Sequence, residues 1–111
     1  MGGNPETELQ REIVDALTAE GWMVMRLNSG GRIGRVQLLP KGTPDLLALP
    51  PQGVHCGPLW IEVKLPGNEP TQVQRDMHKD LRMRGERVAT VTSVNAAVGI
   101  VQGLRDYIRL T

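Results

Sequence analysis

Three stretches of the chain place apolar residues three or four positions apart, the spacing of a helix with one buried face. The first begins at Asn4 and Pro5, a favourable N-cap and first helical residue, and ends at Gly21. The second covers 70–84, and the third follows Ser93, another residue that caps helices well. The pattern therefore predicts three helices.

Shorter apolar runs bounded by glycine and proline predict strands. They cover 22–27, 45–49, 59–65 and 87–92, with a further short strand within 35–39. The glycine-rich segment 28–34 and the segment 40–44 are predicted to be loops. The expected order is α-β-β-β-α-β-α, with a fourth strand before the second helix if 35–39 is counted. This is an α/β fold with a mixed central sheet flanked by helices, and at 111 residues we expect one domain over 1–111.

Two acids lie in the most apolar hairpin of the predicted sheet, Asp45 at the start of one strand and Glu62 within the next. If Asp45 lies opposite Glu62 in an antiparallel pair, the centre of the hairpin falls between Gly53 and Val54, in the middle of the predicted turn. Directly opposed residues lie about 4.5–5.5 Å apart at Cβ. The spacing alone can therefore bring the two carboxylates together.

Two ionised carboxylates at this distance repel, which leaves two interpretations. Either one acid points into solvent or the register differs, or a divalent cation lies between them. Carboxylate oxygens and water are the ligands that suit Mg²⁺. Lys64 shares a face with Glu62 and could orient or deprotonate a water, whereas Val63 could add its backbone carbonyl as a ligand.

Five short segments follow one another in a pattern that is more specific than any of them alone. They are Glu6 with Gln10, Gly30-Gly31-Arg32-Ile33-Gly34-Arg35, Gly42-Thr43-Pro44-Asp45, Glu62-Val63-Lys64, and Gln74 at the start of the second helix. This set resembles the PD-(D/E)XK nuclease superfamily and, more closely, its virus-type replication–repair nuclease (VRR-NUC) family, from about residue 6 to about residue 92. His78 also stands where many members of that family carry a histidine.

The resemblance implies a restriction-endonuclease-like core and a nuclease that hydrolyses phosphodiester bonds in DNA with Mg²⁺ or Mn²⁺ and no organic cofactor. Asp45 and Glu62 would hold the metal, and Lys64 would activate the water or stabilise charge. A first-helix glutamate would hold the metal directly or through water. The catalytic residues expected on this basis are Asp45, Glu62, Lys64, Glu6 and Gln74.

Helical geometry bears on which first-helix glutamate is meant. At about 100° per residue, Glu6 lies about 60° from Leu9, inside the apolar stripe, whereas Glu8 lies about 260° away and faces solvent. The geometry favours Glu6. The alternative is that Glu6 only interacts favourably with the helix dipole.

The second helix carries two polar residues beside its predicted apolar stripe of Val73, Met77 and Leu81. Gln74 and His78 lie about 100° and 140° from Val73, at the edge of that stripe. This position suits residues that line a cleft. The alternative is that both are ordinary polar residues at a helix boundary.

Charge is distributed unevenly although the net charge is only +1. Residues 1–20 contain five acids and one arginine, whereas residues 21–44 contain four basic residues and no acid. Basic loops of this kind can follow a sugar-phosphate backbone, and DNA binding would then depend on salt concentration. The alternative is that short basic stretches are also common on surface loops. The expected DNA contacts are Arg26, Asn28, Arg32, Arg35, Lys41 and His78.

The resemblance also implies an assembly and a substrate. Stand-alone members of the family are similar to Holliday-junction-resolving enzymes, which act as symmetric dimers, so we expect a homodimer acting on branched or four-way-junction DNA in replication, recombination or repair. The alternatives are a non-catalytic DNA-binding module of the same fold, a small restriction-type nuclease, and an RNA substrate.

Two compositional features indicate the compartment. The single cysteine, Cys56, allows no internal disulfide, and no apolar run approaches the roughly 20 residues of a membrane span. We therefore expect the cytoplasm of a bacterial or phage-infected cell and no association with a membrane.

Overall fold

The computed structural model describes the backbone of residues 4–27, 32–33, 36–37 and 39–110, and the side chains of residues 4–27 and 39–106. The elements in chain order are α1 (Pro5–Ala19), β1 (Met23–Arg26), β2 (Arg32–Ile33), β3 (Val36–Gln37), β4 (Leu46–Leu49), β5 (Leu59–Val63), α2 (Gln72–Met83), β6 (Arg87–Val91) and α3 (Val94–Leu110). The predicted α/β fold, a mixed sheet flanked by helices, is confirmed. None of the helices in these ranges is long and apolar enough to cross a membrane.

Side-chain caps fix where the helices begin. Asn4 accepts a hydrogen bond from the Glu6 backbone N–H at 2.8 Å, with Pro5 in the first helical turn. Ser93 caps α3 by accepting from the Ala96 N–H at 3.1 Å. The cap of α2 is Thr71, so this helix begins at Gln72, two residues later than the sequence predicted.

The main sheet has the strand order β1-β4-β5-β6. β4 pairs antiparallel with β1 and also with β5, to which a short connection joins it, whereas β6 runs parallel to β5 after the α2 crossover. β2 and β3 form a separate antiparallel pair. β3 lies inside the predicted strand, but the prediction of a loop throughout 28–34 was wrong at Arg32–Ile33. Ile33 pairs with Val36, and β-branched residues favour extended backbone even in a glycine-rich segment.

The core lies on one face of the sheet, under α1 and α3. Alternate residues of β4 and β5 supply its floor, and the two helices contact each other above it. The buried members from these four elements are Ile13, Leu17, Leu46, Ala48, Leu59, Ile61, Val63, Ala97 and Val101. The opposite face of β4 and β5 meets α2, and this second face carries both acids singled out in the sequence.

Candidate active site

The β4–β5 register brings Asp45 opposite Glu62. Leu46 pairs with Ile61 and Leu47 with Trp60, so the same register continued by one residue sets the two acids across from each other, as the position of the turn had predicted. Oδ2 of Asp45 accepts a hydrogen bond from the Val63 backbone N–H at 2.8 Å. This bond holds the Asp45 carboxylate against β5.

A tight turn delivers Asp45 to the start of β4. Gly42 has φ +87°, and a Cβ there would lie 2.6 Å from the carbonyl oxygen of Val73 in α2, so only glycine fits without strain. The Asp45 carbonyl in turn accepts from the Leu27 N–H at 2.8 Å, which ties the turn to the end of β1. The Gly-x-Pro-Asp motif thus has a structural reason for its glycine.

Glu62 is 1 % exposed, and its environment disfavours a charged carboxylate. Burial is the largest cause that raises the pKa of Glu62, followed by a side-chain hydrogen bond with Asp45 and the Asp45 charge, and together they bring it to about 9. The positive charge of Lys64 lowers this pKa, and the charge of Glu6 raises it. Without a cation the acid pair therefore retains a proton at neutral pH.

Lys64 lies just beyond β5, half-buried, on the same face as Glu62 by strand alternation. Its backbone N–H donates to the Val91 carbonyl at 3.0 Å, which continues the pairing of β5 with β6. Its charge acts on the pKa values of both Glu62 and His78. The ammonium group therefore belongs to the same electrostatic site as the two acids.

His78 occupies a different place from the one its sequence position indicated. It is 3 % exposed, and its Nε2 lies 3.1 Å from Oε1 of Glu62. Burial lowers the pKa of His78, and the charges of Arg82 and Lys64 lower it further. The expectation that His78 contacts DNA from the edge of a cleft does not fit this burial, because the ring is enclosed between α2 and the sheet.

The misplacement of His78 has a simple origin in the face of α2. The predicted apolar stripe began at Val73, but Val73 is 53 % exposed. The residues of α2 that face the sheet are instead Gln74, Met77, His78 and Leu81, none of them exposed. Their i, i+3, i+4, i+7 spacing is visible in the sequence and could have identified His78 as an inward residue.

The two glutamates of the first helical turn differ as their angles on the helix predicted. Glu6 is half-buried, and its charge contributes to the raised pKa of Glu62. Glu8 forms an ion pair with Arg11, one turn along the helix, and its side chain is 43 % exposed. The structure thus brings Glu6, and not Glu8, into the electrostatic environment of the acid pair.

Gln74 closes a capping box at the start of α2. Its Oε1 accepts from the Thr71 N–H at 2.8 Å, and its own N–H donates to the Thr71 hydroxyl at 3.2 Å. The side chain therefore has a local structural function, and a part in catalysis stays a prediction.

The expected DNA-contacting residues fall only partly within the described structure. Arg26 is exposed, and its guanidinium donates to the Thr7 carbonyl at 3.0 Å, leaving further N–H groups for other partners. Lys41 is also exposed. Asn28 and Arg35 lie outside the described residues, as does the side chain of Arg32, whose backbone forms part of β2.

An apolar cavity of about 370 Å³ adjoins the acids on the second face of the sheet. Its floor includes Leu47 and Trp60, the pair next to Asp45 and Glu62 on that face. The other lining residues are Leu27, Leu39, Pro40, Thr43, Met77 and Leu81. The Thr43 hydroxyl donates to the Pro40 carbonyl at 2.7 Å, and Trp60 Nε1 donates to Glu86 at 2.9 Å. The apolar surroundings explain why burial dominates the pKa of Glu62.

The donor set fits a hard divalent cation that keeps several of its waters. Across residues 4–27 and 39–106, no cluster of three or more His, Cys, Asp and Glu side chains forms a complete metal cage. Mg²⁺, however, is commonly held by one or two carboxylates together with water and substrate phosphate. Two opposed acids that share a proton offer such an open site, since a cation could take the place of that proton and compensate the charges of both carboxylates. The Val63 carbonyl as a further ligand stays a prediction.

Fold and site together have the features of the PD-(D/E)XK class: an acid at the start of β4 and Glu-x-Lys from β5 onward, on a mixed sheet between helices. No protein-family model and no curated protein matches the chain. Three chains of solved structures match it, and two of them are described here. One, described as "VRR_NUC domain", has a TM-score of 0.69 and 28% identity and covers 90% of this chain and 97% of its own.

The second structure, described as "VRR_NUC domain protein", has a TM-score of 0.67 and 19% identity and covers 96% of this chain and 92% of its own. At that identity it shows the fold alone. The first structure confirms the recognition of the VRR-NUC family from the sequence motifs, and the second shares its fold. They support a nuclease of the PD-(D/E)XK type.

Proposed function

We propose that this protein is a Mg²⁺- or Mn²⁺-dependent endonuclease that cleaves DNA. The observation that carries the proposal is the β4–β5 register, which sets Asp45 opposite a fully buried Glu62. Burial beside Asp45 disfavours the charged form of Glu62, and the positive charge of Lys64 only partly offsets this effect. Nucleic-acid hydrolysis explains why the two acids lie together, because they can bind the metal ion that this reaction uses.

Each residue has a separate task in phosphodiester hydrolysis. Asp45 and Glu62 would hold the metal, which when bound polarises the scissile phosphate and lowers the pKa of a coordinated water. The Val63 N–H keeps the Asp45 carboxylate in place through its 2.8 Å bond. Lys64 places positive charge beside the acids, where it can stabilise the charge that develops on the phosphate or take a proton from the water.

The proposed substrate is branched DNA, and the proposed active form is a homodimer in the cytoplasm. The chain supplies one Asp45–Glu62–Lys64 set and can cut one strand at a time. A two-fold dimer would present two such sites to the two strands that a four-way junction requires to be cut. Light scattering coupled to size exclusion tests the dimer, and a monomeric mass would contradict it.

Cleavage of labelled substrates tests the nuclease directly. Linear duplex, flap and four-way-junction DNA would be incubated with Mg²⁺ or Mn²⁺, beside the Asp45→Ala and Lys64→Ala variants. We expect each variant to lose on the order of 10³-fold in cleavage rate, because Asp45→Ala removes a metal ligand and Lys64→Ala removes positive charge beside the reacting phosphate. Glu69→Ala and Lys79→Ala, both at exposed positions, are matched controls and should cut like the unmodified protein.

Several outcomes would contradict the proposal. A protein that binds the junction and cuts nothing would be a DNA-binding module. Equal cleavage by Asp45→Ala would place the active site elsewhere. Preferential cleavage of a labelled RNA duplex would overturn the choice of DNA.

A further inference from the structure

We propose that His78 is a positioning residue that orients the Glu62 carboxylate for the metal. The inference rests on the proposed function, since it assigns His78 a task within the same site. It replaces the surface contact with DNA that the sequence indicated, because the imidazole is enclosed between α2 and β5.

One hydrogen bond to each carboxylate comes from a group outside the acid pair. Each acid of the pair has one oxygen held from outside the pair: Oδ2 of Asp45 by the Val63 N–H at 2.8 Å, and Oε1 of Glu62 by His78 Nε2 at 3.1 Å. The second oxygen of each carboxylate is left to the other acid or to an ion. The two holding groups come from different elements, one from the backbone of β5 and the other from a side chain of α2.

The hydrogen bond between His78 and an ionised Glu62 can run in only one direction. An ionised carboxylate has only acceptor oxygens, so Nε2 of His78 must carry the proton when Glu62 serves as a ligand. The N–H then fixes the rotamer of a side chain that would otherwise turn about its terminal bonds. Hydrogen bonds of this kind to metal-binding carboxylates typically strengthen metal affinity or activity 10–100-fold.

The helix that carries His78 has a well-defined start and is tied to the sheet after His78. The Thr71–Gln74 capping box fixes the start of the helix, one turn before His78. Arg82, one turn after it, donates to the Val88 carbonyl of β6 at 2.9 Å. A side chain on a helix fixed in this way can hold its partner within the narrow range that a metal site needs.

A structural interpretation competes with this one. His78 could simply satisfy a buried polar atom and join α2 to the sheet. In that case its replacement would change the free energy of unfolding and leave the affinity for a metal unaltered. Metal affinity measured on the folded protein therefore separates the two interpretations.

The experiment measures Mn²⁺ binding by calorimetry on metal-free full-length protein carrying His78→Leu, His78→Asn or His78→Gln. Leucine removes the donor, asparagine is too short to reach Glu62, and glutamine can place its amide N–H near the position of Nε2. We expect Mn²⁺ affinity to fall about 10–100-fold for leucine and asparagine and to return to within about threefold for glutamine. His55→Leu, which changes the other histidine of the chain at an exposed loop position, is the matched control.

Cleavage gives an independent readout. The Mn²⁺ concentration for half-maximal cleavage should rise with His78→Leu and His78→Asn by the same factor as the dissociation constant. At saturating Mn²⁺ the rate should recover towards that of the unmodified protein. Unfolding in EDTA identifies any variant that has lost its fold. Among folded variants, the Mn²⁺ affinity of His78→Asn compared with that of His78→Gln then distinguishes a positioning role from a structural one.

Two results overturn the inference alone, and a third overturns it together with the proposed function. Unchanged Mn²⁺ affinity in His78→Leu and His78→Asn leaves the nuclease intact and removes the positioning role. Equal weakening by His78→Gln shows that packing, and not the hydrogen bond, matters. If the unmodified protein binds no Mn²⁺ and cuts no DNA, the proposed function fails together with the inference.

Discussion

The two faces of the β4–β5 hairpin are formed by alternate residues of the same two strands, yet their composition is opposite. The face under α1 and α3 is apolar and buried, with Leu46, Ala48, Leu59, Ile61 and Val63. The face under α2 carries Leu47 and Trp60, but beside them Asp45, Glu62 and Lys64. The first face stabilises the fold, whereas the second holds two acids where burial penalises their charge.

This difference shows how the hairpin combines stability with chemistry. Strand pairing fixes both faces at once, because a shift of one residue would exchange them completely. The apolar face therefore enforces the register that sets Asp45 opposite Glu62. A site that is unfavourable by itself is held together by packing on the other side of the same strands.

Ile61→Ala should produce the largest loss of stability. Ile61 is fully buried on the apolar face, so the change removes packed methyl groups and leaves a cavity. We expect the free energy of unfolding to fall by about 2–5 kcal/mol, measured by urea denaturation. Below the unfolding transition the folded variant should still cleave DNA at nearly the unmodified rate. A strong loss of cleavage in fully folded protein would show that the two faces are not separable.

Glu62→Gln, at the residue next to Ile61, should raise the free energy of unfolding, whereas Ile61→Ala lowers it. The pKa of Glu62 is raised from 4.5 to about 9, so the native state binds a proton more tightly than the unfolded chain does. Its contribution to stability is therefore full below about pH 4.5 and is lost as the pH rises towards about 9. A neutral amide avoids this loss, and we expect a gain of about 1–2 kcal/mol at pH 9 in EDTA.

Denaturation of metal-free protein at pH 5, 7 and 9 measures the effect. The advantage of Glu62→Gln over the unmodified protein should grow with pH, while its DNA cleavage is lost. Glu69→Gln, at an exposed position, is the matched control and should show no such trend. An advantage for Glu62→Gln that is constant across this range, or a loss, would mean that Glu62 is not held protonated by its surroundings.

The features that the sequence predicted well are those set by local rules. Turn position determined the Asp45–Glu62 register, and short polar side chains marked the starts of α1 and α3. The angle of Glu6 on its helix placed it towards the site. Each of these depends on residues close in sequence or on one hairpin, so periodicity and turn chemistry were sufficient.

The features that the sequence missed depend on contacts between distant elements. The contact of His78 with Glu62 requires the rotation of α2 against β5, and two apolar stripes on α2 were compatible with the same sequence. Val73 is exposed, whereas Met77 and Leu81 of the predicted stripe face the sheet. The glycine-rich context of Arg32–Ile33 led to the prediction of a loop, although these two residues form a strand and Ile33 is β-branched.

Glu6→Gln should give the smallest effect, and Glu8→Gln provides a matched control on the same helical turn. Both changes remove a negative charge near the N-terminus of α1, so both should cost similar stability through the helix dipole. The charge of Glu6 contributes to the raised pKa of Glu62, whereas Glu8 forms an ion pair with Arg11. We therefore expect Glu6→Gln alone to raise the Mn²⁺ concentration for half-maximal cleavage, by about threefold or roughly 0.6 kcal/mol. If both variants shifted the Mn²⁺ concentration equally, Glu6 would act only through the helix dipole. The site would then consist of residues on the α2-facing side of the hairpin without a contribution from α1.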